Sequence, residues 1–567
     1  MARIGIALDL GTSGFRGQAL DLDQGMIIST AVTTRHPLPG ANVMDHLHFV
    51  IEQGLNQAHE VIIHAVNKVI DNLKIKNDEV VRLAVCGNPI QLSLFQKIEI
   101  RDLAYAGKHK LEALGVVAPK RDAQIIKACE ISGLNLPSET DILIPPAVRH
   151  EVGADALAMM IQTGMLEKNE IAIATDYGTN AEMALIVNGI VYTGSTAAGP
   201  ALEGQHIKDG LLALPGAICD VEFGPDIACD SLEMPTEDLP VKGSMKTFVL
   251  DKDMEVQPGD TIDPATGDLI EKGRVKSAGI TGTGVVALID QGIEAGLIRL
   301  PRIMTLDAKI HLSNGVTFIG KDLKESGKAI GAIRAGHIGL CQSAKINLDD
   351  IETAYMCGAS GTYVDALKAQ KVGMVPKGVN KIYQVGNSSL AMACDLVRNM
   401  DELWHMEQIA NELRQHHCMF ADSKTFEKIY ILELSYWTEG MPMDQYHRFL
   451  KKFGLPPLNE TQVYSEVIKT VHQDIPDLGI KGLKIIFEIG EPKTIAFKGC
   501  TGCSACIEEC PENALCLEEN KDCFKITMDL ARCNGLACSR CEKICKEKVF
   551  ILKELYSSKE ESISQNC

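Results

Sequence analysis

The sequence predicts an α/β protein of several domains that ends in a small, cysteine-rich α+β domain. Three observations carry this prediction. Short apolar runs of strand length alternate with amphipathic helical patterns over residues 1–490. The turn Asp-x-Gly-Thr occurs twice, each time between two apolar runs. Eleven of the nineteen cysteines lie from Cys500 onward.

A chain of 567 residues exceeds what one compact core supports, so division into domains is expected. The hydrophobic share of 46% is ample for buried cores, whereas 5% aromatic residues and two Trp offer little base-stacking surface. The formal charge of −19 speaks against nucleic acid or an anionic membrane as partner and suits docking to a basic protein surface. No run of eighteen apolar residues occurs; the longest candidates are interrupted by Asp176, Glu182 or Asp290. Residues 1–9 reach a carboxylate too early for a signal peptide, so a cytoplasmic protein without membrane association is expected.

Strands are expected at residues 4–8, 18–22, 80–85, 171–174 and 184–187, and helices at 50–73, 345–367 and 400–414. Dense Pro, Gly and Asp mark residues 225–276 as a β-rich insertion, with turns at Pro258-Gly259-Asp260 and Thr266-Gly267-Asp268. Two short β-type runs between residues 479 and 497 lead into the cysteine domain. The expected division is 1–168, 169–490 with the insertion and a helical closing segment, 491–555 for the cysteine domain, and a polar, frayed tail over 556–567.

The first cysteine run is Cys500-x2-Cys503-x2-Cys506-x3-Cys510, followed by Pro511. This is bacterial ferredoxin spacing for a four-iron cluster: soft thiolates suit iron and sulfide, and two-residue gaps let one loop reach three corners of a cube. The second run is Cys533-x4-Cys538-x2-Cys541-x3-Cys545. It departs from the pattern in its four-residue first gap and in Lys546, which stands where Pro is expected. Because the last Cys of each run ligates the other cluster in two-cluster ferredoxins, the expected sets are Cys500, Cys503, Cys506 and Cys545, and Cys533, Cys538, Cys541 and Cys510. The expected cofactors are therefore two [4Fe-4S] clusters; a pair of zinc ribbons is the competing reading of eight cysteines. Cys516, Cys523 and Cys567 are left over.

The two hairpins are Asp9-Leu10-Gly11-Thr12-Ser13 and Asp176-Tyr177-Gly178-Thr179-Asn180. Backbone N–H groups of a Gly-containing turn can cradle phosphate oxygens, with Thr or Ser adding a hydroxyl donor. An Asp at the strand end can hold hydrated Mg²⁺ between phosphates. One such turn is ordinary turn chemistry; two in matching strand context suggest a clamp on a triphosphate.

On these residues the chain resembles the actin, Hsp70 and sugar-kinase superfamily of ATPases, with residues 9–13 as its first phosphate loop and 176–179 as its second. Ala354-Tyr355-Met356-Cys357-Gly358-Ala359-Ser360-Gly361 resembles the adenosine loop, in which Gly358 and Gly361 would let the nucleoside approach the backbone. Gly282-Thr283-Gly284 is a looser candidate for such an approach. The expected fold is two RNase H-like subdomains of the actin/Hsp70 type.

The segments 199–204, 279–284 and 385–389, taken with the cysteine domain, resemble the reductive activators of corrinoid-dependent methyltransferases, of the archaeal methylamine type. Most such activators carry an N-terminal two-iron domain, for which this sequence has no counterpart. The resemblance implies an ATP-hydrolysing oxidoreductase that returns Co(II) corrinoid protein to Co(I) for methylamine methyltransferases in methanogenesis. A low-potential electron donor would feed it. Asp9 and Asp176 would organise Mg²⁺; Gly11, Thr12, Ser13, Gly178, Thr179 and Asn180 would hold the phosphates of ATP. Asp155 is a candidate for positioning the attacking water, although a carboxylate at a helix start explains it equally well; Glu203 is similarly ambiguous. His405 and His416 lie three helical turns apart and do not share an ion. An activator of 2-hydroxyacyl-CoA dehydratases, a plain electron carrier and a small-molecule kinase are the competing functions.

Overall fold

The computed structural model describes residues 3–40, 42–104, 108–149, 152–224, 243–414, 420, 423–459, 463–520, 523–536 and 538–557. The chain forms two compact units: residues 1–154 with 390–410 and 477–567, and residues 155–389 with 411–476.

The first unit is built on a sheet whose centre is the meander β1 (Ile4–Leu10), β2 (Phe15–Asp21) and β3 (Met26–Thr33). β1 is buried along its whole length, which is why it reads as an unbroken apolar run up to Asp9. Helices α1 (Val43–Gln53) and α2 (Leu55–Asn72) follow, then β4 (Val80–Gly87), parallel to β1, and α3 (Pro89–Gln96). β5 (Gln124–Lys127) and β6 (Asp141–Ile144) complete the edge, β6 parallel to β4. The single helix expected over 50–73 is broken at Gly54, whose φ of 94° caps α1 and starts α2.

The second unit repeats this topology. β7 (Ala172–Tyr177), β8 (Ala181–Val187) and β9 (Ile190–Thr196) form an antiparallel meander. A second sheet, β10 (Ala217–Gly224), β11 (Ser244–Leu250), β12 (Val256–Ile262), β13 (Leu269–Glu271) and β14 (Gly279–Ile280), is covered by α4 (Gly282–Glu294). The insertion expected at 225–276 thus belongs to a sheet reaching from 217 to 280, with 225–242 outside the described residues. Long helix α5 (Gly320–Ala344) precedes β15 (Thr353–Cys357), which is parallel to β7, and β16 (Lys381–Gly386), parallel to β15. The order β3-β2-β1-β4-β6 in one unit therefore matches β9-β8-β7-β15-β16 in the other.

Three further expectations are corrected. Residues 345–367, read as a helix, contain β15: an apolar run buried on both faces of a parallel sheet has no period that distinguishes it from a buried helix. Residues 390–410 and 477–490 belong to the first unit, because strand Leu483–Ile486 pairs in parallel with β3 and Val397 packs on Gly5. The tail is ordered through Ser557 in helix Leu552–Ser557, where Leu555 and Tyr556 are buried; 558–567 lie outside the described residues, as do His416, His417 and Cys418. The C-terminal cysteines sit around a three-stranded antiparallel sheet in the order Pro492–Ala496, Cys523–Asp529, Leu515–Asn520.

Candidate functional site

Asp9 lies near the end of β1 and faces Arg16 of β2 across the hairpin. The register places the two side chains on one face, and Arg16 Nη1 lies 3.2 Å from the Asp9 carboxylate, which is 5% exposed. Between them run Gly11, Thr12 and the buried Ser13. Asn88, the N-cap of α3, donates from its Nδ2 to Thr12 Oγ1 at 3.0 Å while its own Oδ1 receives Ile90 N–H and Gln91 N–H. The first loop is thereby held from the end of the neighbouring strand.

The second hairpin has the same backbone plan with opposite charge. Glu182 stands directly across from Asp176, where the first hairpin has Arg16. Thr179 donates its hydroxyl to Glu203, and Asp155, Asp176 and Glu203 all act on Glu182. Burial, then these three carboxylates, push Glu182 well above the ordinary carboxylate range. Asp155 also accepts Ala156 N–H at 2.8 Å at the start of its helix, as expected of a carboxylate at a helix N-terminus. No motif marks Arg16 or Glu182; their signal is the position just past each turn, on the same face as the preceding Asp.

Gly358 has φ of 80°, and a Cβ there would lie 2.3 Å from Asp176 Oδ1. At Gly361 a Cβ would meet the Met356 backbone at 2.8 Å. The β15–helix turn thus brings bare backbone against the second hairpin's carboxylate. Gly282 and Gly284 do otherwise: their added Cβ atoms would strike Leu202 O at 1.8 Å and Ile218 O at 2.4 Å, so they serve packing of α4. Buried neighbours fill the space in which a ligand would have to sit.

The structure brings the C-terminal thiols together in two sets. Burial, then the neighbouring thiols of Cys500, Cys503 and Cys545, raise Cys506 to about 11. Cys541 is raised to about 12 by burial and then by Cys533, Cys510 and Cys538. The two halves share a backbone plan. Ser504 and Ser539, each directly after a Cys, are left-handed at φ 60° and 44°, and each opens a short helix that carries the next Cys. Asn513 and Lys548, three residues past Cys510 and Cys545, are also left-handed. The long first gap therefore precedes the repeat, and a Cβ on its Gly535 would lie 3.9 Å from Gly40 Cα. Ala514 N–H donates to Cys510 Sγ at 3.3 Å, and the Tyr556 hydroxyl lies 3.1 Å from Cys533 Sγ.

Four thiols per set, two backbone repeats, one N–H donor to sulfur at Cys510 and a hydroxyl beside Cys533 Sγ fit one four-iron cluster each. Among the described residues no three His, Cys, Asp or Glu side chains converge closely enough on one ion; a cube spreads its ligands over separate corners. Asp176 and Glu182 of the second hairpin, with Asp155 and Glu203 beside them, are hard oxygen donors that suit Mg²⁺.

Comparison with known proteins adds the decisive observation. The chain is 46% identical over 532 residues, 94% of its length and 95% of the relative's, to a "[Co(II) methylated amine-specific corrinoid protein] reductase" of Methanosarcina barkeri. The chain belongs to this family of corrinoid reductive activators. Two models of the family match in succession, the "RACo middle region" over residues 4–168 and the "C-terminal domain of RACo the ASKHA domain" over 170–447. A corrinoid activation enzyme of Eubacterium limosum, RamQ, is 25% identical over 68% of this chain and 62% of its own. Among solved structures, a reductive activator for a corrinoid, iron-sulfur protein superposes with a TM-score of 0.61 at 21% identity, covering 76% of this chain and 66% of that one. At that identity the likeness speaks for the fold. The corrinoid-activator fold is that of the actin, Hsp70 and sugar-kinase ATPases, and the duplicated meander is its repeated unit.

Proposed function

We propose that this protein uses ATP to return corrinoid proteins of methylamine methyltransferases from inactive Co(II) to Co(I), serving methanogenesis. The observation that carries the reading is the match, over nearly the whole length of both chains, to a reductase of methylated-amine-specific corrinoid protein. The two thiol sets support the reduction half of it, and the paired hairpins the ATP half.

The first hairpin binds phosphate through the backbone of Gly11, Thr12 and Ser13, with Arg16 balancing Asp9. In the second, Gly178, Thr179 and Asn180 hold phosphate, and Asp176 has Glu182, Glu203 and Asp155 at hand for Mg²⁺. Asp9 shares in ordering the hydrated ion, and Asp155 positions water. Gly358 and Gly361 admit the nucleoside to the backbone of the β15 turn. Two [4Fe-4S] clusters, once bound, supply one-electron transfer at low potential. Cys500, Cys503, Cys506 and Cys545 hold one; Cys510, Cys533, Cys538 and Cys541 hold the other, with Ala514 N–H donating to Cys510 Sγ. Reducing Co(II) is uphill, and ATP helps only if its binding or hydrolysis favours one state of the complex with the corrinoid protein. A low-potential donor supplies the electrons, and the site of action is the cytoplasm.

The two halves are separable by mutation. Asp9→Ala abolishes ATP turnover and leaves iron content and cluster spectrum unchanged; Cys503→Ala disturbs a cluster and leaves nucleotide binding intact. Normal ATP hydrolysis by Asp9→Ala contradicts the placement of the ATP site.

A further inference from the structure

One turn of helix stands between the first phosphate loop and the thiol set of Cys533. It is the first turn of α3, where Asn88 holds Thr12 and Gln91, fully buried, reaches the other way. Gln91 Oε1 is 3.0 Å from His36 Nε2, and Gln91 Nε2 is 3.0 Å from His46 Nδ1. Leu38 N–H donates to His36 Nδ1 at 3.1 Å, which fixes the tautomer: His36 donates to Gln91 Oε1, and Gln91 donates to His46. The two imidazoles are stacked at 3.9 Å and buried. A glutamine in the interior with both ends engaged has one orientation, so it transmits displacement rather than absorbing it.

Each histidine begins an arm that ends on Cys533. His36 belongs to the segment 33–40. That segment is fastened at its start to the phosphate hairpin, through Phe15 N–H to Thr33 Oγ1 at 2.8 Å and the Phe15 ring edge on His36 at 5.2 Å. At its end, Gly40 N–H donates to Cys533 O at 2.7 Å. His46 lies on α1, whose Phe49 packs edge-on against Tyr556 at 5.4 Å, and the Tyr556 hydroxyl meets Cys533 Sγ. One arm reaches the backbone of Cys533, the other its sulfur.

We infer that Gln91 is a positioning residue that couples occupancy of the first phosphate loop to the electronic environment of the Cys533 cluster, through His36 and Gly40 on one arm and His46, Phe49 and Tyr556 on the other. This rests on the proposed ATP and cluster sites. Phosphate at the Gly11–Ser13 backbone loads Thr12 and the hairpin, and Asn88 and Thr33 carry the displacement into the two arms. Hydrogen bonding to cluster sulfurs sets reduction potential, so a shift of the Tyr556 hydroxyl changes the ease of reduction. Reciprocity then requires reduction of the cluster to change nucleotide affinity by the same factor.

The test measures Kd for a non-hydrolysable ATP analogue on the full-length, cluster-loaded protein, oxidised and then chemically reduced, with the cluster's electron paramagnetic resonance signal recorded alongside. In the wild type the two Kd values differ by about fivefold or more, the lower end of ordinary allosteric coupling. In Gln91→Leu the ratio falls to within about twofold of unity, while cluster content and the oxidised-state Kd are kept. Tyr556→Phe, which keeps the ring packing and loses the hydroxyl, does the same and decides the matter if Gln91→Leu does not fold. A wild-type ratio near one, or a ratio unchanged in both variants, overturns the inference while leaving the proposed function standing. Absence of any nucleotide binding by the wild type overturns both.

Discussion

At the scale of single residues, the informative contrast is between Arg16 and Glu182. They occupy the same place in two copies of one hairpin, yet one neutralises its Asp and the other adds to the negative charge. Burial, then Asp155, Asp176 and Glu203, push the Glu182 carboxyl well above the ordinary carboxylate range. The turn motif flags Asp9 and Asp176 in the sequence. No motif flags Glu182, since its place opposite Asp176 is set by cross-strand register. Gly358 gives a direct check. Gly358→Ala forces a Cβ onto Asp176 at positive φ, and is expected to cost about 1–3 kcal/mol and to weaken ATP binding. Urea unfolding and nucleotide titration measure the two effects; unchanged affinity contradicts the place given to this turn. His337 supplies a pH test. It is buried on α5, 2.9 Å from Thr175 Oγ1, and burial lowers it from 6.5 to about 3. The unfolded chain binds this proton first, so the folded state loses stability as pH falls below 6.5 towards 3. Between pH 7.5 and 5.5 the loss from this group is about 1 kcal/mol, and His337→Gln is expected to lack it in urea unfolding at the two pH values. An identical pH dependence in the variant contradicts the assignment.

At the scale of elements, the C-terminal cysteine segment was the most legible and β15 the least. The cysteine runs announce themselves because ligand spacing is a covalent property of the chain. The left-handed residues Ser504, Ser539, Asn513 and Lys548 show why the second run tolerates its extra residues: the backbone repeat begins only at Cys538. The strands 353–357 and 483–486 were misread or misassigned because their partners, β7 and β3, are far away in sequence. No local pattern names a distant partner. The grouping of thiols yields an element-level prediction. Cys510→Ala and Cys541→Ala are expected to leave the same residual cluster signal, and Cys545→Ala to match Cys503→Ala. Electron paramagnetic resonance of the reduced variants reads this directly, and pairing of Cys510→Ala with Cys503→Ala instead contradicts the crossed sets.

At the scale of the whole molecule, the fold is a duplication followed by an addition. Two meanders with the same strand order each carry an Asp-x-Gly-Thr turn. The added cysteine segment belongs to the first unit, tied to it by strand Leu483–Ile486 on β3, by Arg35 with Glu512 and by Lys553 with Glu52. Alternation of strands and helices made the class readable, whereas the assignment of residues 390–410 and 477–490 to the first unit was not, since it depends on helix packing against β1 and on strand pairing with β3. Among the described residues no helix is long and apolar enough to cross a membrane. The central claim is that ATP and the thiol-bound clusters act together on a corrinoid protein. The most direct measurement mixes the cluster-loaded protein anaerobically with a low-potential reductant, ATP and a Co(II) corrinoid protein of a methylamine methyltransferase, and follows the visible spectrum. The account predicts appearance of the Co(I) spectrum only when ATP is present, and its loss with Asp9→Ala; no ATP-dependent change with any such corrinoid protein contradicts it.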